Sequence, residues 1–216
     1  MSGPVSETDA EIVVRAYSPR YAAAVRTLLG IEGGHVNDPV DRGGETKFGI
    51  SLRFLRAEGK VDLDGDGVAD FDLDMDGDID GADIRKLTIG DAIFLFHRCF
   101  WKRLDCDSWP APIGEMLFDQ AVNGGTTAAK KLLQRAMNGV IRNNHLRSIP
   151  IAVDGVLGPK TSAMFVVLVS RCGIEEIAAE YRMQARARYL EIVAANPSQS
   201  RFLKGWLARA DRMGKS

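Results

Sequence analysis

No apolar run in the 216-residue chain approaches the roughly 20 residues that a membrane span requires. The opening residues, MSGPVSETDAEIVVRAYSP, have neither a basic start nor an apolar stretch, so no secretory signal is expected. Cysteine is scarce. Cys99, Cys106 and Cys172 form an odd set without C-x-x-C or metal spacing, which fits reduced, buried thiols, with a Cys99 to Cys106 bridge as the alternative. Histidine is equally scarce: His35, His97 and His145 stand in unrelated contexts, which excludes an amidase zinc set and a Cys/His peptidase pair. Strand-like alternation is nearly absent while helical periodicity recurs along the chain, so a mainly α fold is expected.

A formal net charge of −1 conceals two opposite regions. Residues 62–83 hold ten Asp and no Lys or Arg, which leaves 28 basic against 19 acidic residues in the remainder. A basic body favours encounter with an anionic cell envelope. Nucleic acid is not an expected partner, because the Lys and Arg residues are spread over several helical patterns without a helix-turn-helix, finger or RNA-binding signature.

The most informative stretch runs from Glu32 to Ile50, EGGHVNDPVDRGGETKFGI. The segment before it begins Ser18-Pro19 and puts Tyr21, Val25, Leu28 and Leu29 on one face, which predicts a helix ending at Glu32. Gly33 and Gly34 supply the stop, and the negative end of the helix dipole raises the pKa expected for Glu32. Glycoside hydrolysis needs such a protonated acid, and Asp38, Asp41 and Glu45 are within reach as the second carboxylate. The plain alternative is a surface acid beside a Gly-Gly turn. The pattern E-G-G-x-x-x-D-P-x-D-x-G-G-x-T-x-x-G-I resembles the signature of glycoside hydrolase family 108, the N-acetylmuramidases of bacteria and phages. That resemblance implies Glu32 as catalytic acid, a lysozyme-like helical fold and a peptidoglycan substrate. His35 stands where the family usually has an aromatic residue, and is the candidate substrate contact there. Glu32, Asp41 and Thr46 are also similar in order to the Glu, Asp, Thr set of phage-type lysozymes, with one residue fewer between Asp and Thr.

After a short helix capped by Ser51 and ended by Gly59, VDLDGDGVADFDLDMDGDIDGADI contains D-x-D-x-D-G twice, the opening of an EF-hand type calcium loop. In the second copy Asp72, Asp74, Asp76, Asp78 (through its carbonyl), Asp80 and Asp83 occupy ligand positions, with Asp in the last place as in dockerin-like loops. The first copy offers Asp62, Asp64, Asp66, Val68 (through its carbonyl) and Asp70 but ends on Leu73, and overlaps the second by two residues. One or two calcium ions are expected in this insertion, residues 61–84. A solvated acidic loop is the alternative.

Thr88 and Asp91 form an acidic capping box for a helix running to Trp101. The aromatic pair Phe100-Trp101 again resembles family 108. The Pro-rich segment 105–112 marks a boundary, giving an arm (1–17), a catalytic module (18–110) and a helical module (111–216) packed on it with a glycan groove between. The last module resembles the predicted peptidoglycan-binding domain that accompanies the family, including D-G-x-x-G-x-x-T from Asp154. Asn123 and Gln134 are its candidate sugar contacts, and Arg201, Lys204 and Arg209 are expected to face outward on the last helix. The resemblance implies a monomeric endolysin, held in the host cytoplasm until a holin releases it, that cuts the β-1,4 bond between N-acetylmuramic acid and N-acetylglucosamine. The competing classes are a non-catalytic, calcium-dependent wall-binding or secretion-accessory protein and a dockerin-like adaptor. The retained Glu32 speaks against the first, and the lack of a helix between the two calcium loops against the second.

Overall fold

The protein is described here by a computed structural model covering residues 13–31, 35–37 and 45–215. It divides into two compact units between Arg103 and Leu104.

In the first unit, Ser18 Oγ accepts from the Tyr21 N–H at 3.3 Å and Pro19 opens helix α1 (Pro19–Ile31), as the Ser-Pro pair predicts. Tyr21, Val25 and Leu28 are buried on one face, and the Tyr21 hydroxyl donates to the Ile93 carbonyl at 2.5 Å. Three short antiparallel strands follow, β1 (His35–Asn37), β2 (Glu45–Lys47) and β3 (Ile50–Ser51), in the order β1-β2-β3. Strands of two or three residues are too short for a period of two to register in the sequence. Ser51 caps α2 (Leu52–Glu58) by accepting from the Phe54 N–H. Beyond the acidic insertion come α3 (Gly81–Lys86) and α4 (Ile89–Phe96), the latter with the Thr88–Asp91 capping box in place. The chain then widens into a π-helix, His97–Lys102, in which Cys99, Phe100 and Trp101 are all buried. His97 packs against the rings of Tyr17 and Tyr21, at 4.6 and 4.7 Å, which also meet each other at 5.2 Å.

The second unit contains α5 (Ile113–Gly124), α6 (Thr126–Asn143), α7 (Pro159–Cys172), α8 (Ile174–Ala195) and α9 (Ser200–Arg212). Pro159 opens α7, while α6 follows Gly125 with no side-chain cap. Helix α6 buries Leu132, Leu133, Ala136, Met137 and Val140 against its neighbours. Arg209 corrects the expectation for the last helix: it is buried, and its Nε bonds Asp119 Oδ1 at 2.9 Å. Its charge is paired inside the unit rather than turned to solvent. All three cysteines are free thiols. Among the described residues no helix is long and apolar enough to cross a membrane.

Gly139 on α6 faces α8, and a Cβ there would overlap the carboxylate of the buried Glu180. Gly139→Ala is expected to destabilise the protein by about 1–3 kcal/mol through overpacking, read as a lower urea midpoint. An unchanged midpoint would show that Glu180 can move aside.

Candidate functional site

Of the sequence-derived catalytic set, Glu32 and Asp41 lie outside the described residues, as does Asp38, and of His35 only the backbone is described. What can be built is the frame around them. Strand pairing sets His35 opposite Lys47, Val36 opposite Thr46 and Asn37 opposite Glu45, so β1 and β2 form the two arms that flank residues 38–44. Thr46 occupies the centre of the sheet, paired also with Ser51 on β3, and is half-buried. Helix α1, anchored by Tyr21, leads directly to Glu32.

Glu45, one of the three candidates for the second carboxylate, is committed elsewhere. Arg85 Nη1 donates to both of its oxygens at 3.2 Å, and its carboxylate occupies the place where a side chain on Gly81 would stand. Lys47 Nζ adds a bond to the Arg85 carbonyl at 2.5 Å. These contacts clamp β2 to α3, the helix that leaves the acidic insertion. Sequence reasoning missed the clamp because its two ends are 40 residues apart.

The insertion itself is built from carboxylates that accept from backbone N–H groups. Asp62 accepts from Gly65 at 2.7 Å and Gly67 at 3.0 Å; ten residues on, Asp72 accepts from Asp76 at 3.2 Å and Gly77 at 2.9 Å. Gly67 and Gly77, each at the sixth position of its repeat, have φ of 86° and 98°, a region in which a Cβ is strained. Phe71 and Ile79 fasten the loops to the core: both are buried, packed over Gly59, where a Cβ would lie 2.9 Å from Phe71 Cβ.

Two acidic groups result. Asp62, Asp64 and Asp70 converge in one, and Asp72, Asp74 and Asp76 in the other, each with carboxylate oxygens within 4.8 Å of one another. The remaining candidates are placed differently. Asp66 accepts from the Val68 N–H and Asp78 donates its own N–H to Asp76. Asp80 and Asp83 make a reciprocal capping box at the start of α3, with Asp83 accepting from Asp80 N–H at 2.7 Å and Leu73 N–H at 2.6 Å. Within the second group, Asp74 Oδ1 is buried without a hydrogen-bond partner. Its pKa is raised, first by desolvation and then by Asp76 and Asp83.

In the second unit Gln134 proves to be a turn-holding residue rather than a sugar contact. It is 1% exposed; its amide donates to Asp154 Oδ1 at 2.7 Å and the Val156 carbonyl at 3.0 Å, and accepts from the Gly155 N–H at 2.8 Å. The D-G-x-x-G-x-x-T turn is therefore tied down from below, and the Gln134 hydrogen bond holds the Asp154 carboxyl below the usual carboxylate range. Asn123 is half-buried, with Nδ2 donating to the Tyr189 hydroxyl at 2.8 Å.

Comparison with known proteins fits this division of labour. Residues 25–125 match the glycosyl hydrolase 108 family model, and residues 128–211 match the model of a predicted peptidoglycan domain. No curated protein matches the chain. Among solved structures it is similar to that of Brucella abortus SagA, with a TM-score of 0.66 and 26% identity over 90% of this chain and 91% of that one. The first match runs from α1 past the strands and the insertion to the end of α5, and the second begins in the first turn of α6. Residues 25–125 thus resemble a glycosyl hydrolase 108 module, residues 128–211 resemble a predicted peptidoglycan domain, and together they support a glycosidase acting on peptidoglycan.

Proposed function

We propose that the protein is an N-acetylmuramidase that hydrolyses the β-1,4 bond between N-acetylmuramic acid and N-acetylglucosamine, in the manner of an endolysin. The observation that carries this reading is the stretch from Glu32 to Ile50, which lies wholly inside the matched hydrolase module. Glu32, the residue that follows α1 in the sequence, protonates the leaving oxygen, and Asp41, or a water held by Thr46, acts from the opposite face of the sugar. Glu45 is paired with Arg85, which leaves Asp41 and Asp38 among the acids considered for the second role.

The acidic insertion binds calcium in this proposal. Its donors are all carboxylate and carbonyl oxygens, which suit a hard divalent cation, and the buried, unpartnered Asp74 Oδ1 is the kind of atom such a cation satisfies. Asp72, Asp74 and Asp76 would hold one ion, and Asp62, Asp64 and Asp70 a second. Bound calcium would neutralise the repulsion among these groups. The chain's own part is transmission: order in the loop fixes the start of α3, and Arg85 on α3 fixes Glu45 beside Thr46.

Glu32→Gln is expected to lower release of reducing ends from purified peptidoglycan by about 10² to 10⁴ while leaving the melting temperature unchanged. A variant keeping more than about a tenth of the activity would remove Glu32 from the acid role. Mass spectra of the digest should show cut glycan strands with intact peptide cross-links; the reverse pattern would overturn the muramidase reading.

Calcium at about 100 times its dissociation constant is expected to add about 2.7 kcal/mol per site, seen as a rise in melting temperature over the EGTA-treated protein. Asp72→Ala/Asp74→Ala should abolish one site's share of that rise. Identical melting curves and lysis rates in EGTA and in millimolar calcium would reduce the insertion to a solvated loop.

A further inference from the structure

We propose that Phe48, at the tip of the β2–β3 hairpin, is a sugar-contacting residue whose ring packs against a pyranose of the glycan strand; the choice of ligand rests on the muramidase reading above.

The backbone of this turn works against the residue it carries. Lys47 pairs with Ile50, so Phe48 and Gly49 by themselves close the hairpin, and both have positive φ, 51° and 79°. A two-residue loop of that kind is a type I′ turn, whose twist suits the flanking strands and whose preferred sequence is Asn-Gly. Gly49 meets the preference. Phe48 does not, because the left-handed conformation crowds the Cβ of an L-residue against the following carbonyl, and a phenyl group has no polar atom with which to bond the local backbone as Asn would.

Burial does not account for the choice. Tyr21, Phe96 and Trp101, which build the core of this unit, are at most 1% exposed, whereas Phe48 is only half-buried. Tyr21 and Phe96 also pack on other rings, while Phe48 meets a cation, Lys47 Nζ standing 5.4 Å from its centroid. That cation is itself held. Lys47 Nζ donates to the Arg85 carbonyl at 2.5 Å, and Arg85 grips Glu45 on the same strand. The ring is therefore steadied from α3 before any ligand arrives, which lowers the ordering cost of binding.

Position supplies the ligand. Glu45 and Lys47 both reach α3, so the alternation of a strand turns Thr46 to the opposite face. Phe48 follows Thr46 by two residues, roughly 7 Å at strand spacing, on the hairpin that flanks residues 38–44. A sugar at Thr46 thus lies within reach of the ring. The C–H face of a pyranose is apolar and faintly positive, and the face of an aromatic ring is negative, so the two attract without a charged partner.

The test uses the full chain and three variants, Phe48→Asn, Phe48→Leu and Phe48→Trp. Each is measured for melting temperature, for kcat and KM of reducing-end release from soluble peptidoglycan strands, and for affinity toward chitotetraose, which has sugars and no peptide. Phe48→Asn suits the turn, so it is expected to melt no lower than the wild type while its KM and its chitotetraose dissociation constant rise about fivefold, the size of one aromatic contact, with kcat little changed. Phe48→Leu keeps apolar bulk without a ring and should lose the same affinity. Phe48→Trp should retain it. A lower melting temperature with unchanged KM in Phe48→Asn, or wild-type affinity in Phe48→Leu, would make the ring a support for the hairpin and overturn the proposal. Absence of reducing-end release from the wild type would sink the muramidase reading instead, and chitotetraose affinity would then decide the Phe48 contact by itself.

Discussion

Ten carboxylates confined to 22 residues repel one another, and the first unit depends on how that repulsion is contained. Backbone geometry does much of it. Asp62 and Asp72 each turn the chain back on itself by accepting two N–H groups, and Gly67 and Gly77 allow the left-handed turns this needs. Burial supplies the rest: Phe71 and Ile79 fix the loops over Gly59, whose missing side chain is the space they use. The carboxylates left converging form two oxygen-lined groups.

The insertion is not an appendage. Its last residues are the cap of α3, and α3 carries Arg85 to Glu45 on the strand that also holds Thr46. A change in loop order therefore has a short mechanical path to the sheet flanking residues 38–44: cap, helix, guanidinium, strand. Such coupling needs no long-range wire, only that Gly81 lacks a Cβ so the Glu45 carboxylate can lie against the helix start.

The second unit keeps several polar groups in its interior, and each has a positional task. Gln134 holds the Asp154 turn from beneath, Glu180 receives Asn143 at 3.2 Å and Gln184 at 2.9 Å, and Arg209 pairs with Asp119. A buried polar group left without a partner is costly, so these networks fix a single arrangement of α5, α6, α8 and α9 more sharply than apolar packing alone. Gln120, with one satisfied end and one open one, and Arg188, with a buried Nε that has no hydrogen-bond partner, depart from that pattern.

The sequence by itself determined the local decisions. Ser51, Thr88 and Pro159 start their helices, Gly59 ends one, and the spacing of Asp and Gly in the insertion sets its turns, because each of these rests on bonds between residues a few positions apart. The stretch from Glu32 to Ile50 was legible for its chemistry, though not for the short strands within it. Tertiary structure decided how side chains are spent. Whether Glu45 is a catalytic candidate or the partner of Arg85, whether Gln134 meets a sugar or Asp154, and whether Arg209 faces water or Asp119 depends on neighbours 40, 20 and 90 residues away. Periodicity says which face of a helix is turned inward, but not what waits there, because a polar residue on the inner face has the same sequence pattern whether it closes a network or opens a site.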